Sequence, residues 1–358
     1  MTITTSTLEN SNKTPQRLLL ISVPRTASNL LLKILNLPNQ PNALTNERGG
    51  YFFHDAFEAS GKDGRLQKPL CQWTADQKNQ TTAALQQAVD KLESYTTRAH
   101  TENKIMFTKE HAFWFLNPGA FTSTVNGPEK PEDLEQFQVS VPECYGPSRT
   151  FSPNNQTVLP DEYLRTWRLA FIIRHPALAW PSMYRAMQKL SEAGFTDEDG
   201  VKGVSVVNMS FKWTRKLFDW CIEQSDRSVT PLVIDANDVI RNPDVVAKFC
   251  ENAGLDIASM QYEWTEARNK SDSSKPPCVD VGGTQVLDLK QQGHSIFLST
   301  LQESTGVVKD KAPVLVDIDA EVAKWRVEFG DEAAGLIEKA TRDALPDYEY
   351  LRAHRVVV

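Results

Sequence analysis

The sequence predicts an α/β fold: three layers, with a mostly parallel central sheet between helices. Three observations predict it. Four short apolar runs, Leu18 to Val23, Ile105 to Thr108, Leu169 to Arg174 and Pro231 to Asp235, read as strands buried on both faces. Two of them pass into a polar, proline-marked loop and then into helical spacing, at Leu30, Leu31, Ile34 and Leu35 and again at Met183, Tyr184, Met187 and Leu190. Between the first two runs lies a long helical pattern, Asp76 to Arg98, with Ala84, Leu85, Ala88, Val89, Leu92 and Tyr95 on one face. Strands alternating with helices are the sign of a parallel sheet.

Composition narrows the class. A chain of 358 residues, 40% hydrophobic and 24% charged, has the length for one large α/β domain or two smaller ones. We read residues 16–358 as one domain, preceded by a Ser/Thr/Asn-rich disordered tail over 1–15. A formal net charge of −7 argues against a nucleic-acid partner, so any polyanion is held by a local basic cluster. The five cysteines are widely spaced and form no metal pattern, which predicts reduced thiols, no bound metal and a cytoplasmic location. No apolar run reaches about 18 residues, so no membrane contact is expected.

The first unit, Arg17 to Leu35, reads as strand, tight loop and helix. Its loop therefore lies at a helix N-terminus, where outward N–H groups and the dipole favour an anion. Arg25 adds a fixed positive fork suited to phosphate or sulfate, and Thr26, Ser28 and Asn29 add neutral donors. The loop lacks the G-x-x-x-x-G-K-[ST] pattern, which disfavours a nucleotide kinase.

Asn36 to Trp73 reads as irregular, with Tyr51, Phe52, Phe53 and Phe57 either lining a pocket or packing in the core. The strand at Ile105 then delivers Lys109 and His111 to the sheet edge where ligands bind in open α/β sheets. A neutral imidazole there can accept a proton at physiological pH, while the role of Glu110 stays open. Seven prolines between Pro118 and Trp167 predict a segment without helix or central strand, a candidate lid whose Phe121, Phe137, Tyr145 and Phe151 contact an acceptor.

Arg174 ends the third strand and Ser182 follows eight positions later, one to two turns into the next helix. A charged fork and a hydroxyl thus converge above the sheet. Val206 to Ser225 reads as a packing helix, Asp235 to Asp238 as a loop and Pro243 to Asn252 as a helix. In the less patterned Ser271 to Pro313, the residues Ser299, Ser304, Thr305, Lys309 and Lys311 are candidate phosphate contacts. Helices over Asp319 to Glu328 and Asp331 to Ala344 close the chain, the second stopped by Pro346.

Together these motifs resemble the P-loop sulfotransferase superfamily, enzymes that use 3′-phosphoadenosine 5′-phosphosulfate (PAPS). Pro24, Arg25, Thr26, Ala27, Ser28, Asn29 and Leu30 fill the slots of the 5′-phosphosulfate loop P-K-S-G-T-T-W, with Ala27 for Gly and Asn29 for Thr as departures. Lys109, Glu110 and His111 resemble the K-x-H element, and Arg174 with Ser182 the 3′-phosphate site. The terminal helices resemble those of soluble, fungal-type members. The resemblance covers roughly Arg17 to Leu255 and implies PAPS as co-substrate, sulfuryl transfer to a hydroxyl of a small-molecule acceptor, and His111 as base. It further implies that Lys109 and Arg25 stabilise the transferred group, that residues 25–29, Arg174 and Ser182 bind the nucleotide, and that a homodimer is possible. Two alternatives stay open: an enzyme on this scaffold that has lost PAPS, and a non-catalytic nucleotide-binding protein.

Overall fold

A computed structural model describes residues 17–194, 207–224, 230–264, 297–298, 301 and 304–358. Five parallel strands lie in the order β2-β3-β1-β4-β5: β1 (Arg17–Ser22), β2 (Ala43–Leu44), β3 (Ile105–His111), β4 (Arg168–Ile173) and β5 (Leu232–Asp235). The two-residue β2 escapes sequence reading because it is too short to show a period. β1 is central, with Ser22 opposite His111 on β3 and Ile21 opposite Phe171 on β4. That register brings the strand ends carrying the candidate residues to one edge of the sheet.

Residue alternation in β1 divides the core. Leu18 and Leu20 face α1 (Ser28–Ile34) and a late helix, with Leu31, Ile34, Val246 and Phe249 in the same cluster. Leu19 and Ile21 face the opposite layer, which includes α2 (His54–Gly61) and α3 (Ala75–Thr101). The α3 start is fixed by a capping box: Thr74 Oγ1 accepts from Gln77 N, and the Gln77 side chain accepts from Thr74 N.

The proline-rich segment departs from its expectation. It contains α4 (Pro118–Asn126), α5 (Pro131–Glu135) and α6 (Asp161–Leu164). In α4 and α5 the proline stands at the first helical position, where a missing N–H leaves no bond unmade. Phe121, Phe137, Val158 and Tyr163 are buried in the main core. Tyr145 and Tyr163 each donate a 2.6 Å hydrogen bond to Glu93 of α3, and Arg17 of β1 donates to the Tyr145 hydroxyl. These bonds tie the segment to the sheet and α3.

After β4 comes α7 (Pro176–Glu192), with the His175 ring accepting from Ala177 N. Helix α8 (Lys212–Glu223) starts later than its apolar stripe suggested, and Val206 lies outside the described residues. The expected loop after β5 is instead α9 (Ala236–Arg241), because the Asp235 carboxylate caps it by accepting from Asn237 N at 2.7 Å. α10 (Pro243–Ala253) ends at Gly254 in the left-handed conformation, φ 75°.

The two final helices are α11 (Ile318–Phe329) and α12 (Asp331–Ala353). Pro346 does not stop α12. Burial of Tyr348 and Leu351, and a 2.8 Å hydrogen bond from the Tyr348 hydroxyl to Asp235 Oδ2, hold the turns beyond it. Cys71, Cys144, Cys221 and Cys250 are free thiols. Among the described residues no helix is long and apolar enough to cross a membrane. The tail, Cys278, Ser299 and most of Ser271 to Pro313 lie outside the described residues.

Candidate active site

The loop from β1 to α1 has an unusual backbone. Arg25 and Ala27 both adopt positive φ, 69° and 62°, although neither is glycine. Alternating left-handed residues turn successive N–H groups toward a common concavity of the kind that holds anions. Ala27 thus takes the backbone shape glycine adopts most readily, at the expense of strain. Thr26 is buried, and its hydroxyl donates to Val23 O at 2.7 Å within the loop. Ser28 is buried in the first turn of α1.

On one side of this loop two guanidinium groups and a hydroxyl converge. Arg25 Nε donates to Ser182 Oγ at 3.0 Å, and its Nη1 donates to Phe297 O at 2.6 Å. Arg174 Nη1 donates to Arg25 O at 3.1 Å and Nη2 to Lys311 O at 3.0 Å. Neither guanidinium has an ion-pair partner among the described residues. Burial, and the charge of Arg25 beside it, lower the Arg174 pKa to about 10. Burial, then the charge of Arg185, lowers that of Arg25. Two desolvated cations thus repel each other, with the Asp235 carboxylate opposing the shift on Arg174.

On the other side of the loop, Lys109 is fully buried and donates to Asn29 Oδ1, with its Nζ 4.1 Å from the Tyr51 ring centroid. Burial pulls its pKa down, against the opposing charge of Glu110. His111 lies at the end of β3, its Nδ1 2.9 Å from Ser22 Oγ. We assign the Nδ1–H tautomer, in which the Ser22 hydroxyl donates to Glu110 O at 3.3 Å and accepts from Nδ1. That assignment places the lone pair on Nε2, which lies 3.4 Å from the Tyr51 hydroxyl. Burial, then the charge of Lys109, holds the His111 pKa well below its ordinary value and keeps the ring neutral.

The chain is 34% identical over 351 residues to "Sulfotransferase ppzF" of Metarhizium rileyi (strain RCEF 4871), covering 96% of each chain. It is also 34% identical over 354 residues to the protein of that name from Metarhizium majus (strain ARSEF 297), covering 96% of this chain and 97% of the relative. The chain belongs to the sulfotransferase family. No protein-family model matches it. Among solved structures it is similar to the "Sulfotransferase Domain from the Synechococcus PCC 7002 Olefin Synthase" at 13% identity and a TM-score of 0.32, over 93% of this chain and 96% of that one, a likeness too slight to argue from.

In this member of the sulfotransferase family, six of the nine sequence-predicted positions fall into two groups, Arg25 with Arg174 and Ser182 on one side and Asn29 with Lys109 and His111 on the other, and Thr26, Ala27 and Ser28 lie in the chain between Arg25 and Asn29. Of the late phosphate candidates among the described residues, only Lys311 is hydrogen-bonded to Arg174, through its backbone carbonyl. Thr305 and Lys309 instead line a cavity of about 860 Å³ with Arg241, Tyr262 and Trp264.

Sequence reading missed Ser22, left the role of Glu110 open, and left Tyr51 undivided from its neighbours. Phe52 and Phe53 enter the core while Tyr51 turns to the site. Glu110 Oε1 accepts from Phe52 N and Phe53 N at 2.5 and 3.1 Å, and its buried Oε2 has no partner among the described residues. His54, Asp55 and Glu58 bring potential metal-ligand atoms within 4.8 Å of one another, but Asp55 is engaged by both Nη atoms of Arg48.

Proposed function

We propose that the chain transfers a sulfuryl group from PAPS to a hydroxyl of a small-molecule acceptor. The observation that carries this is the Arg25 guanidinium bonded to Ser182 Oγ, with the Arg174 guanidinium bonded to Arg25 O, both hydrogen-bonded to neutral oxygens alone. Such a set fits the paired phosphates of the nucleotide: Arg174 and Ser182 would hold the 3′-phosphate, and the loop amides with Arg25 the 5′-phosphosulfate. PAPS would supply the sulfuryl group and a phosphate leaving group.

The chain's own work is alignment and charge neutralisation. The acceptor oxygen bonds to sulfur as the bond from sulfur to the phosphate oxygen breaks, and the electron pair leaves with that phosphate. His111 Nε2 takes the acceptor proton. Lys109, on β3 and bonded to Asn29 beside the loop that bears Arg25, would offset negative charge on the transferred oxygens and the leaving phosphate.

Calorimetry with adenosine 3′,5′-bisphosphate tests the nucleotide site. Micromolar or tighter binding is expected, weakened about tenfold or more in Arg174→Ala, the loss of a charged hydrogen bond. No binding to folded protein refutes the proposal. Labelled-sulfate transfer to hydroxyl compounds then tests His111→Ala, whose unchanged turnover would remove His111 as base.

A further inference from the structure

Tyr51 occupies a place that a substrate group should take. Its hydroxyl lies 3.4 Å from His111 Nε2, its ring covers Lys109 Nζ at 4.1 Å, and Trp114 packs on it with centroids 4.7 Å apart. The ring nitrogen has one lone pair, because Nδ1 carries the proton shared with Ser22. An acceptor hydroxyl and the Tyr51 hydroxyl therefore cannot hold Nε2 together. Burial, then the charge of Glu110, keeps the Tyr51 phenol protonated and so a donor to that lone pair.

The backbone around Tyr51 is tied to β3 on both sides. Gly50 O accepts from Lys109 N at 3.1 Å and from Thr108 Oγ1 at 2.7 Å. Phe52 N and Phe53 N donate to Glu110 Oε1, and Asn46 Nδ2 donates to Tyr51 O at 2.7 Å. Gly50 lies so close to the strand that a Cβ there would stand 2.7 Å from Lys109 N. With the main chain clamped, the part free to yield is the Tyr51 side chain, which is partly exposed while Phe52 and Phe53 are buried.

We infer that Tyr51 is a side-chain gate on the candidate base: its ring closes the approach to His111 Nε2 and Lys109, and the acceptor hydroxyl enters by displacing it. The inference rests on the reading of His111 as base. It makes Tyr51 a specificity-determining residue, because an acceptor with a flat aromatic face beside its hydroxyl regains both contacts that Tyr51 gives up. A saturated alcohol regains only the hydrogen bond.

Two measurements on Tyr51→Phe and Tyr51→Ala test the gate. Diethyl pyrocarbonate acylates a free imidazole lone pair, and its rate at His111 is read by peptide mass spectrometry. The rate should rise about threefold or more in Tyr51→Phe, which loses only a hydrogen bond, and further in Tyr51→Ala. Steady-state transfer to 4-propylphenol should show a KM two- to fivefold lower in Tyr51→Phe, about the worth of one long hydrogen bond.

An unchanged acylation rate in folded Tyr51→Phe overturns the gate. So does a raised KM, or a tenfold fall in kcat, which would make Tyr51 a proton relay. Should Tyr51→Ala fail to fold, Tyr51→Phe carries the test alone. The acylation arm uses neither PAPS nor turnover, so failure of the nucleotide site and failure of the gate are read separately.

Discussion

Replacing Ala27 with glycine should stabilise this protein, against the usual direction of that change. Ala27 holds φ 62° and ψ 20°, a region where the Cβ of an L-residue costs about 1–2 kcal/mol. Ala27→Gly removes that strain. The same substitution loosens the unfolded chain, which opposes folding by about 0.4–1 kcal/mol. The difference favours the variant by about 0.5–1 kcal/mol. Ala83, exposed in the middle of α3, supplies the control. Ala83→Gly should destabilise by about 1 kcal/mol, since a helical site has no strain to release. Urea unfolding at a common m-value reads both, and the two variants should move the midpoint in opposite directions. Equal destabilisation by both would refute the strained-cradle account of the loop.

Two further outcomes follow from buried ionisable groups. His111 must be neutral to accept a proton and its pKa lies below the ordinary 6.5, so the acid limb of kcat/KM should fall below that value. Lys109 acts as a cation and burial lowers its pKa to about 7, so kcat/KM should decline as pH rises through that value. Lys109→Arg should abolish this decline in a pH–rate profile, and a wild-type profile flat to high pH would contradict it. Tyr348→Phe should destabilise by about 1.5–3 kcal/mol, the worth of a hydrogen bond to a buried carboxylate. A shift in the urea midpoint worth under about 0.5 kcal/mol would show that Asp235 is satisfied without it.

Much of the fold was legible because its strands are buried on both faces, which leaves continuous apolar runs such as Leu18 to Val23. The site was legible where charged residues stand at strand ends, as Lys109, His111 and Arg174 do. Proline misled in one direction, against helices that form. Pro118 and Pro131 start helices, and Pro346 lies inside one, because the local rule gives way when flanking residues are buried and capped.

By itself the sequence determined the order of the four longer strands, the anion-favouring loop and the chemistry available at the strand ends, since these depend on residue type and local spacing. Only the tertiary structure decided which groups meet. The approach of Arg25 to Ser182, of Ser22 to His111 and of Tyr51 to Lys109 joins residues 157, 89 and 58 positions apart. No local period encodes such pairings; they follow from strand order, register and the burial that the finished sheet imposes.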